Sequence, residues 1–259
     1  MKNLRKYTVA LMALAVLASC EKEQANTNAN ANTLNQATLG EGGSMAQFTI
    51  LDNYLYTVDY KSLKVFHLAD PANPTLLETV NLGVGIETIF PQNDHLFIGT
   101  QSGVRIYDVT NPRQPKEVSE FAHVTSCDPV VANDDYALAT LRGGTPCNGN
   151  VNQLDIIDIS DIENPTWVSS TDLLNPYGLG LAENADQLVY VCDGYGGLKA
   201  FDLTNPESPE EVMHLEGIDA LDVIPDEDNN LIVLTRQGVY QYDASNPLEL
   251  AQKSLISLE

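Results

Sequence analysis

Beyond its first twenty residues the chain is written in short apolar runs of four to six residues separated by Gly, Asp, Asn and Pro, with no long three-to-four periodicity. Residues 188–191 (Leu-Val-Tyr-Val) and 198–201 (Leu-Lys-Ala-Phe) flank the turn Asp193-Gly-Tyr-Gly-Gly197, which reads as a β-hairpin. The same arrangement recurs at residues 55–58 with 63–66, 96–98 with 104–107, 136–139 with 154–157, and 231–234 with 239–242. A further strand precedes each hairpin, as at residues 87–90, and another follows it, as at residues 116–121. Several second strands are apolar at consecutive positions, for example Leu231-Ile-Val-Leu234, so both faces of these sheets need cover.

The hairpins belong to a repeat. Asp202-Leu-Thr-Asn205-Pro206-Glu-Ser-Pro209 is echoed by Asp108-Val-Thr-Asn111-Pro112-Arg-Gln-Pro115, by His67-Leu-Ala-Asp70-Pro71-Ala-Asn-Pro74 and by Asp243-Ala-Ser-Asn246-Pro247. A looser copy, Asp158-Ile-Ser-Asp161-Ile-Glu-Asn-Pro165, keeps only the second proline. These anchors are separated by 41, 50, 44 and 41 residues, the period of propeller blades. The expectation is an all-β, five-bladed β-propeller of four-stranded antiparallel blades over 47–83, 84–122, 123–173, 174–216 and 217–258. Each blade runs from inner to outer strand, so closure is expected from face packing of blade one on blade five. The strings VYVCDGYGGLKAFDLTNPESPEEV and LFIGTQSGVRIYDVTNPRQPKEV resemble LVIVD repeats, clearest in blades two and four. That resemblance implies a propeller in a surface or extracytoplasmic setting, and no established reaction.

The N-terminus changes the setting. Lys2, Arg5 and Lys6 precede an apolar stretch to Leu17, too short to span a bilayer, and Leu17-Ala18-Ser19-Cys20 resembles the lipobox of bacterial lipoproteins. The domain reading is a signal peptide at 1–19, a lipid-anchored disordered linker at 20–46 beginning with lipidated Cys20, and the propeller at 47–259. Residues 21–46 are rich in Asn, Ala, Thr, Gln and Gly. Such a linker has a reach of roughly 25 to 30 Å. Glu21 and Glu23, just past the lipid site, resemble a surface-export signal of Bacteroidota lipoproteins. The expected location is the bacterial outer membrane, facing the periplasm or the cell surface.

The formal charge of −23 becomes −26 once Lys2, Arg5 and Lys6 are removed. So acidic a body disfavours nucleic acid and leaves the lipid anchor as its one membrane contact. With Cys20 lipidated, Cys127, Cys147 and Cys192 remain. Cys127 opens the inner strand of blade three and Cys147 sits in its enlarged loop, so a disulfide between them is a candidate, worth on the order of 3 kcal/mol.

The loops entering the inner strands and those joining second to third strands share one face. Glu87, Asp128, Tyr177 and Asp219 fall near the central channel there, with Asp59, Tyr60, Gln101, Arg142, Asp193, Tyr195 and Arg236 on the loops outside them. Together they form the candidate binding face, since a rigid ring presenting variable loops suits recognition. Asp226-Glu-Asp228-Asn-Asn230 has the alternating oxygens of a calcium loop, yet Leu231 stands where Gly is wanted, so a hairpin turn is the simpler reading. The four histidines form no ligand pair, and no GxSxG, HExxH or phosphate-cradling loop is present. The functional expectation is a non-enzymatic envelope scaffold without metal or cofactor, binding an envelope or extracellular protein or glycan. The alternatives are a glycan- or lactone-hydrolysing enzyme at the channel mouth and a purely structural lipoprotein.

Overall fold

The computed structural model describes residues 43–122, 129–144, 151–182, 187–226 and 228–258. Blade one comprises β1 (Phe48–Leu51), β2 (Tyr54–Val58), β3 (Ser62–His67) and β4 (Thr75–Asn81). Blade two comprises β5 (Ile86–Gln92), β6 (His95–Thr100), β7 (Gly103–Asp108) and β8 (Lys116–Ala122). Blade three follows with β9 (Val130–Ala132), β10 (Tyr136–Arg142), β11 (Asn152–Asp158) and β12 (Thr166–Asp172). Blade four has β13 (Leu179–Leu181), β14 (Leu188–Cys192), β15 (Leu198–Asp202) and β16 (Glu210–Leu215). Blade five has β17 (Ala220–Pro225), β18 (Asn230–Thr235), β19 (Gly238–Asp243) and β20 (Ala251–Ser257). Every sheet is four consecutive antiparallel strands in chain order, and each first strand lies beside the first strand of the next blade. The fold is a five-bladed, all-β propeller.

The repeat motif is a folding device. The carboxylate of Asp108 accepts the N–H and hydroxyl of Thr110 at 2.8 and 2.7 Å, and Asp158 treats Ser160 in the same way at 2.9 and 2.6 Å. Asp202 takes the N–H of Thr204 and Asp243 that of Ser245. Just beyond, a backbone turn closes between Asn111 and Gln114, and equivalently at Asp70, Asp161, Asn205 and Asn246. These Asx and proline turns stop the third strand and aim the fourth. One residue before each anchor, the third and fourth strands slip register by a β-bulge: between Val65 and Phe66, Ile106 and Tyr107, Ile156 and Ile157, Ala200 and Phe201, and Gln241 and Tyr242. A bulge adds local twist, and its recurrence gives every outer strand pair the same coil.

Apolar clusters bind the blades in series. One joins blades one and two around Leu63 and Leu96, the next joins two and three around Phe97 and Leu141, a third joins three and four around Leu154 and Val191, and a fourth joins four and five around Tyr190 and Val233. Among the described residues no apolar cluster joins blade five to blade one. The face packing of blade one on blade five expected from the inner-to-outer strand order is thus not carried by a buried apolar cluster of the kind that joins the other blades. Thr57 stands on the face of blade one that looks towards blade five, where blade two has Ile98 at the same position.

The inner end of this seam is bridged by the chain itself. Ser44 is fully buried, its Oγ accepts the N–H of Leu179 at 2.8 Å, and its hydroxyl reaches Asp222 Oδ1 at 3.4 Å. The carbonyl of Ala46 accepts the N–H of Ile89 at 2.9 Å. Residues 43–46, the last of the stretch read as linker, thus cross the channel and tie blades four and five to blade two. On their lower side is a cavity of about 690 Å³, walled by Gly43, Ser44, Val131, Leu179, Val223 and Pro225. Gly178 has no room for a side chain, because a Cβ there would collide with the Asp222 carboxylate.

Candidate functional site

The loop-bearing face is built by the β2–β3, β6–β7, β10–β11, β14–β15 and β18–β19 turns together with the connections between successive blades. Its most concentrated chemistry lies where blades three, four and five meet. Tyr177 is held by its backbone: its N–H donates to the Cys192 carbonyl at 2.7 Å, and its carbonyl accepts the Thr140 hydroxyl. The guanidinium of Arg142, at the end of β10, lies 3.9 Å from the centroid of the Tyr177 ring. Such a cation–π contact is worth about 0.5 to 1 kcal/mol when exposed. From the other side Arg236 Nη2 donates to the Tyr177 hydroxyl at 3.1 Å, while its Nε pairs with Asp219 Oδ2 at 2.9 Å. One tyrosine therefore sits between two arginines contributed by two other blades.

Asp219 completes the group. Its N–H donates to Gln237 Oε1 at 3.3 Å, and its carbonyl accepts the N–H of Arg236 at 3.1 Å. Its second carboxylate oxygen, Oδ1, is buried and has no hydrogen-bond partner among the described residues. A buried acceptor left unpaired is uncommon and calls for a donor. The cluster thus offers guanidinium donors, an aromatic ring and a waiting acceptor at the channel mouth. The Arg236 side chain is 59% exposed.

The remaining sequence-predicted residues divide into two kinds. Glu87 occupies the register shift of β5, and its Oε1 accepts from Gln101 Nε2 at 3.3 Å, forming a smaller polar pair on blade two. Tyr60 and Tyr195 are exposed at loop tips. Asp59 is occupied by its own turn, taking the N–H groups of Lys61 and Ser62, the Ser62 hydroxyl and Lys64 Nζ, each at 2.9 Å. The Lys64 ammonium, followed by these hydrogen bonds, holds its carboxyl well below the usual range. Asp193 is fully buried rather than presented on the surface: it accepts the N–H of Asn175 at 2.7 Å and of Leu174 at 2.9 Å, and pairs with Lys199 Nζ at 3.0 Å. It folds the loop into Tyr177 and offers nothing to a ligand. Asp128, Cys20, Cys127 and Cys147 lie outside the described residues.

Two participants escaped the sequence reading. Lys199 sits mid-strand with nothing to mark it as the partner of Asp193. Asp222 is an acid within the apolar run Ala220-Leu-Asp222-Val-Ile, which is the one signal it gave. Burial lifts its carboxyl to about 6, against the opposing hydrogen bonds from Val223 N–H and Ser44. The neighbouring Cys192 is a free, buried thiol whose pKa burial pushes up, with Asp222 and Asp193 adding to the effect.

The LVIVD repeat family matches this chain over residues 42–82 and 149–172, that is, blade one and the third and fourth strands of blade three. The two repeats clearest in the sequence, in blades two and four, fall outside that match. No curated protein matches the chain in sequence. Similar solved structures include a protein from Lactobacillus plantarum, 16% identical with a TM-score of 0.65, covering 80% of this chain and 69% of that one. The periplasmic gluconolactonase of Pseudomonas aeruginosa is 14% identical with a TM-score of 0.60, covering 80% and 70%. A functionally unknown protein from Desulfotomaculum acetoxidans is 13% identical with a TM-score of 0.61, covering 80% and 67%. At these identities the likeness is one of fold.

Proposed function

We propose that this chain is a non-enzymatic lipoprotein of the bacterial outer membrane, anchored through Cys20, whose propeller binds an envelope or extracellular protein or glycan through its loop-bearing face. The observation that carries this reading is the constellation of Arg142, Tyr177, Arg236 and Asp219. It sets two guanidinium groups and an aromatic ring beside a buried, unpaired carboxylate oxygen at the mouth of a rigid ring. Aromatic and arginine side chains are the usual anchors of recognition surfaces. The −23 charge of the chain makes a localised arginine pair a specific feature rather than part of a basic coat. The LVIVD repeat match supports the repeat-built scaffold.

A second reading is favoured by one observation, the likeness to a periplasmic gluconolactonase. In that reading the mouth would hydrolyse a sugar lactone, with Glu87 or Asp128 as the working acid. Fold does not fix function, and residues 43–46 cross the channel just beneath the mouth.

The deciding experiment is capture from envelope extract and on a glycan array with the soluble body, residues 43–259, alongside its Arg236→Ala and Tyr177→Ala variants. Capture that both variants lose supports the binding scaffold. Lactone or glycan turnover that disappears in Glu87→Gln or Asp128→Asn would replace it with the enzyme. Cys20→Ser should move the protein to the soluble fraction, and unchanged membrane retention refutes the lipid anchor.

A further inference from the structure

The loop joining β14 to β15, Asp193-Gly194-Tyr195-Gly196-Gly197, is tightly held and yet carries an exposed aromatic ring at its tip. Buried Asp193 anchors it to the backbone of Leu174 and Asn175. Gly194 exchanges both of its backbone hydrogen bonds with Ala220, at 3.1 and 3.0 Å, so the loop pairs with the head of blade five. The Gly196 N–H donates to the Asp193 carbonyl at 2.8 Å, and His214 Nε2 donates to the Gly196 carbonyl at 2.6 Å. Gly194 has no substitute here: its φ is +55°, and a Cβ would lie 2.7 Å from Asn175 Nδ2 and 3.1 Å from Tyr177 Cε2. Tyr195 nevertheless remains 69% exposed. An aromatic ring on so fixed a loop gives up little freedom when a ligand covers it.

The register sets this ring beside the Asp219–Arg236 ion pair. Antiparallel pairing of Gly194 with Ala220 brings Tyr195 opposite Asp219, and pairing of Ala220 with Thr235 brings Asp219 opposite Arg236. Neighbouring strands lie about 4.8 Å apart, so the backbones of Tyr195 and Arg236 are about 10 Å apart. Arg236 spends Nε on Asp219 and Nη2 on the Tyr177 hydroxyl, and no described residue accepts from its Nη1. Leu174 is the one exposed aliphatic side chain among the described residues of the connections around this row. One ring, a guanidinium and glycine backbone serve a hydroxyl-rich surface better than the apolar centre of a protein interface.

We propose that this face takes a glycan through a sugar bearing one carboxylate, a uronate, whose ring stacks on Tyr195 while its carboxylate meets Arg236 Nη1. This names the ligand class of the binding-scaffold reading and rests on it. The C–H bonds of a pyranose ring carry partial positive charge and pack on the negative face of an aromatic ring. A carboxylate accepts from a guanidinium more strongly than a hydroxyl does, because both partners are charged. The −23 charge of the chain repels a polyanion, so the carboxylates are sparse along the glycan.

Titration calorimetry on the full chain tests this with a xylo-oligosaccharide bearing one glucuronate and the same compound with its carboxylate reduced to the alcohol. The acid should bind about tenfold or more tightly than the alcohol. Tyr195→Ala and Arg236→Lys should each weaken the acid about tenfold, the lysine keeping the charge and losing the planar donors. Equal affinity for the two sugars, binding of neither, or binding that Tyr195→Ala leaves intact would each overturn the proposal. Capture of an envelope protein without binding of either sugar would remove this inference and leave the scaffold reading standing. Capture of neither protein nor glycan would remove both.

Discussion

The Oγ of Ser44 accepts the backbone N–H of Leu179 at 2.8 Å, joining residues 135 positions apart across the central channel. Both residues are fully buried. Ser44→Ala should therefore cost about 1 to 3 kcal/mol, the penalty of orphaning a buried amide. Urea unfolding should show a lower midpoint at unchanged m. A variant as stable as the parent would mean that the crossing segment contributes nothing to the ring.

Asp222 should make stability fall with rising pH. Its folded pKa, about 6, lies above the ordinary 3.8, so the fold prefers the protonated acid. That contribution is complete below about pH 4 and is lost as pH climbs through 6. Asp222→Asn stays neutral and keeps an acceptor for the Val223 N–H. Relative to the parent it should gain roughly 2 kcal/mol at pH 7.5, at about 1.4 kcal/mol per pKa unit reduced for partial exposure, and gain little at pH 4. Denaturation curves at the two pH values check this, and a pH-independent difference would refute it.

The repeat aspartates act with the opposite sign. Hydrogen bonds from Thr110 and Ser160 hold the Asp108 and Asp158 carboxyls below their usual range. Their contribution is present above about pH 4 and disappears as pH falls through the depressed values. Asp108→Ala should cost about 0.5 to 1 kcal/mol near neutrality, the scale of an exposed turn hydrogen bond, and should cost less in acid. Thermal melts at pH 7 and pH 2.5 separate this from a simple packing loss.

On the recognition face, Tyr177→Phe removes the hydroxyl that Arg236 grips and keeps the ring beneath Arg142. It should weaken partner capture less than Tyr177→Ala, while Arg236→Ala should lower affinity about tenfold or more with little change in Tm. Titration calorimetry at two salt concentrations is the measurement. Binding through the guanidinium groups should weaken as salt rises.

Peptide mapping without reduction should link Cys127 to Cys147. Two free thiols there would remove the expected staple of blade three.

The architecture was legible in the sequence because the anchors repeat. Asp108, Asp158, Asp202 and Asp243 perform one local task in blades two to five, and His67 marks the same position in blade one, so spacing alone reveals the count and the strand order. The seam was not legible, since a repeat reports what each unit does within itself and says nothing of whether its outer wall finds a partner. The site was legible in part: loop position located Tyr177, Asp219, Arg142 and Arg236, because blade topology fixes which loops converge. Asp193 and Asp59 looked the same in the sequence, yet Lys199 and the turn around Ser62 occupy them, and such pairing depends on three-dimensional neighbours that spacing does not encode.

The Asx turns sit at the end of the propeller opposite the candidate loops. Whatever identifies the lineage is thereby segregated from whatever meets the outside, and an exchange of the β10–β11 or β18–β19 loop would leave the hydrogen bonds that build each blade untouched. Grafting is the natural use of such a division: new specificities could be installed on one rim while the other continues to guarantee assembly.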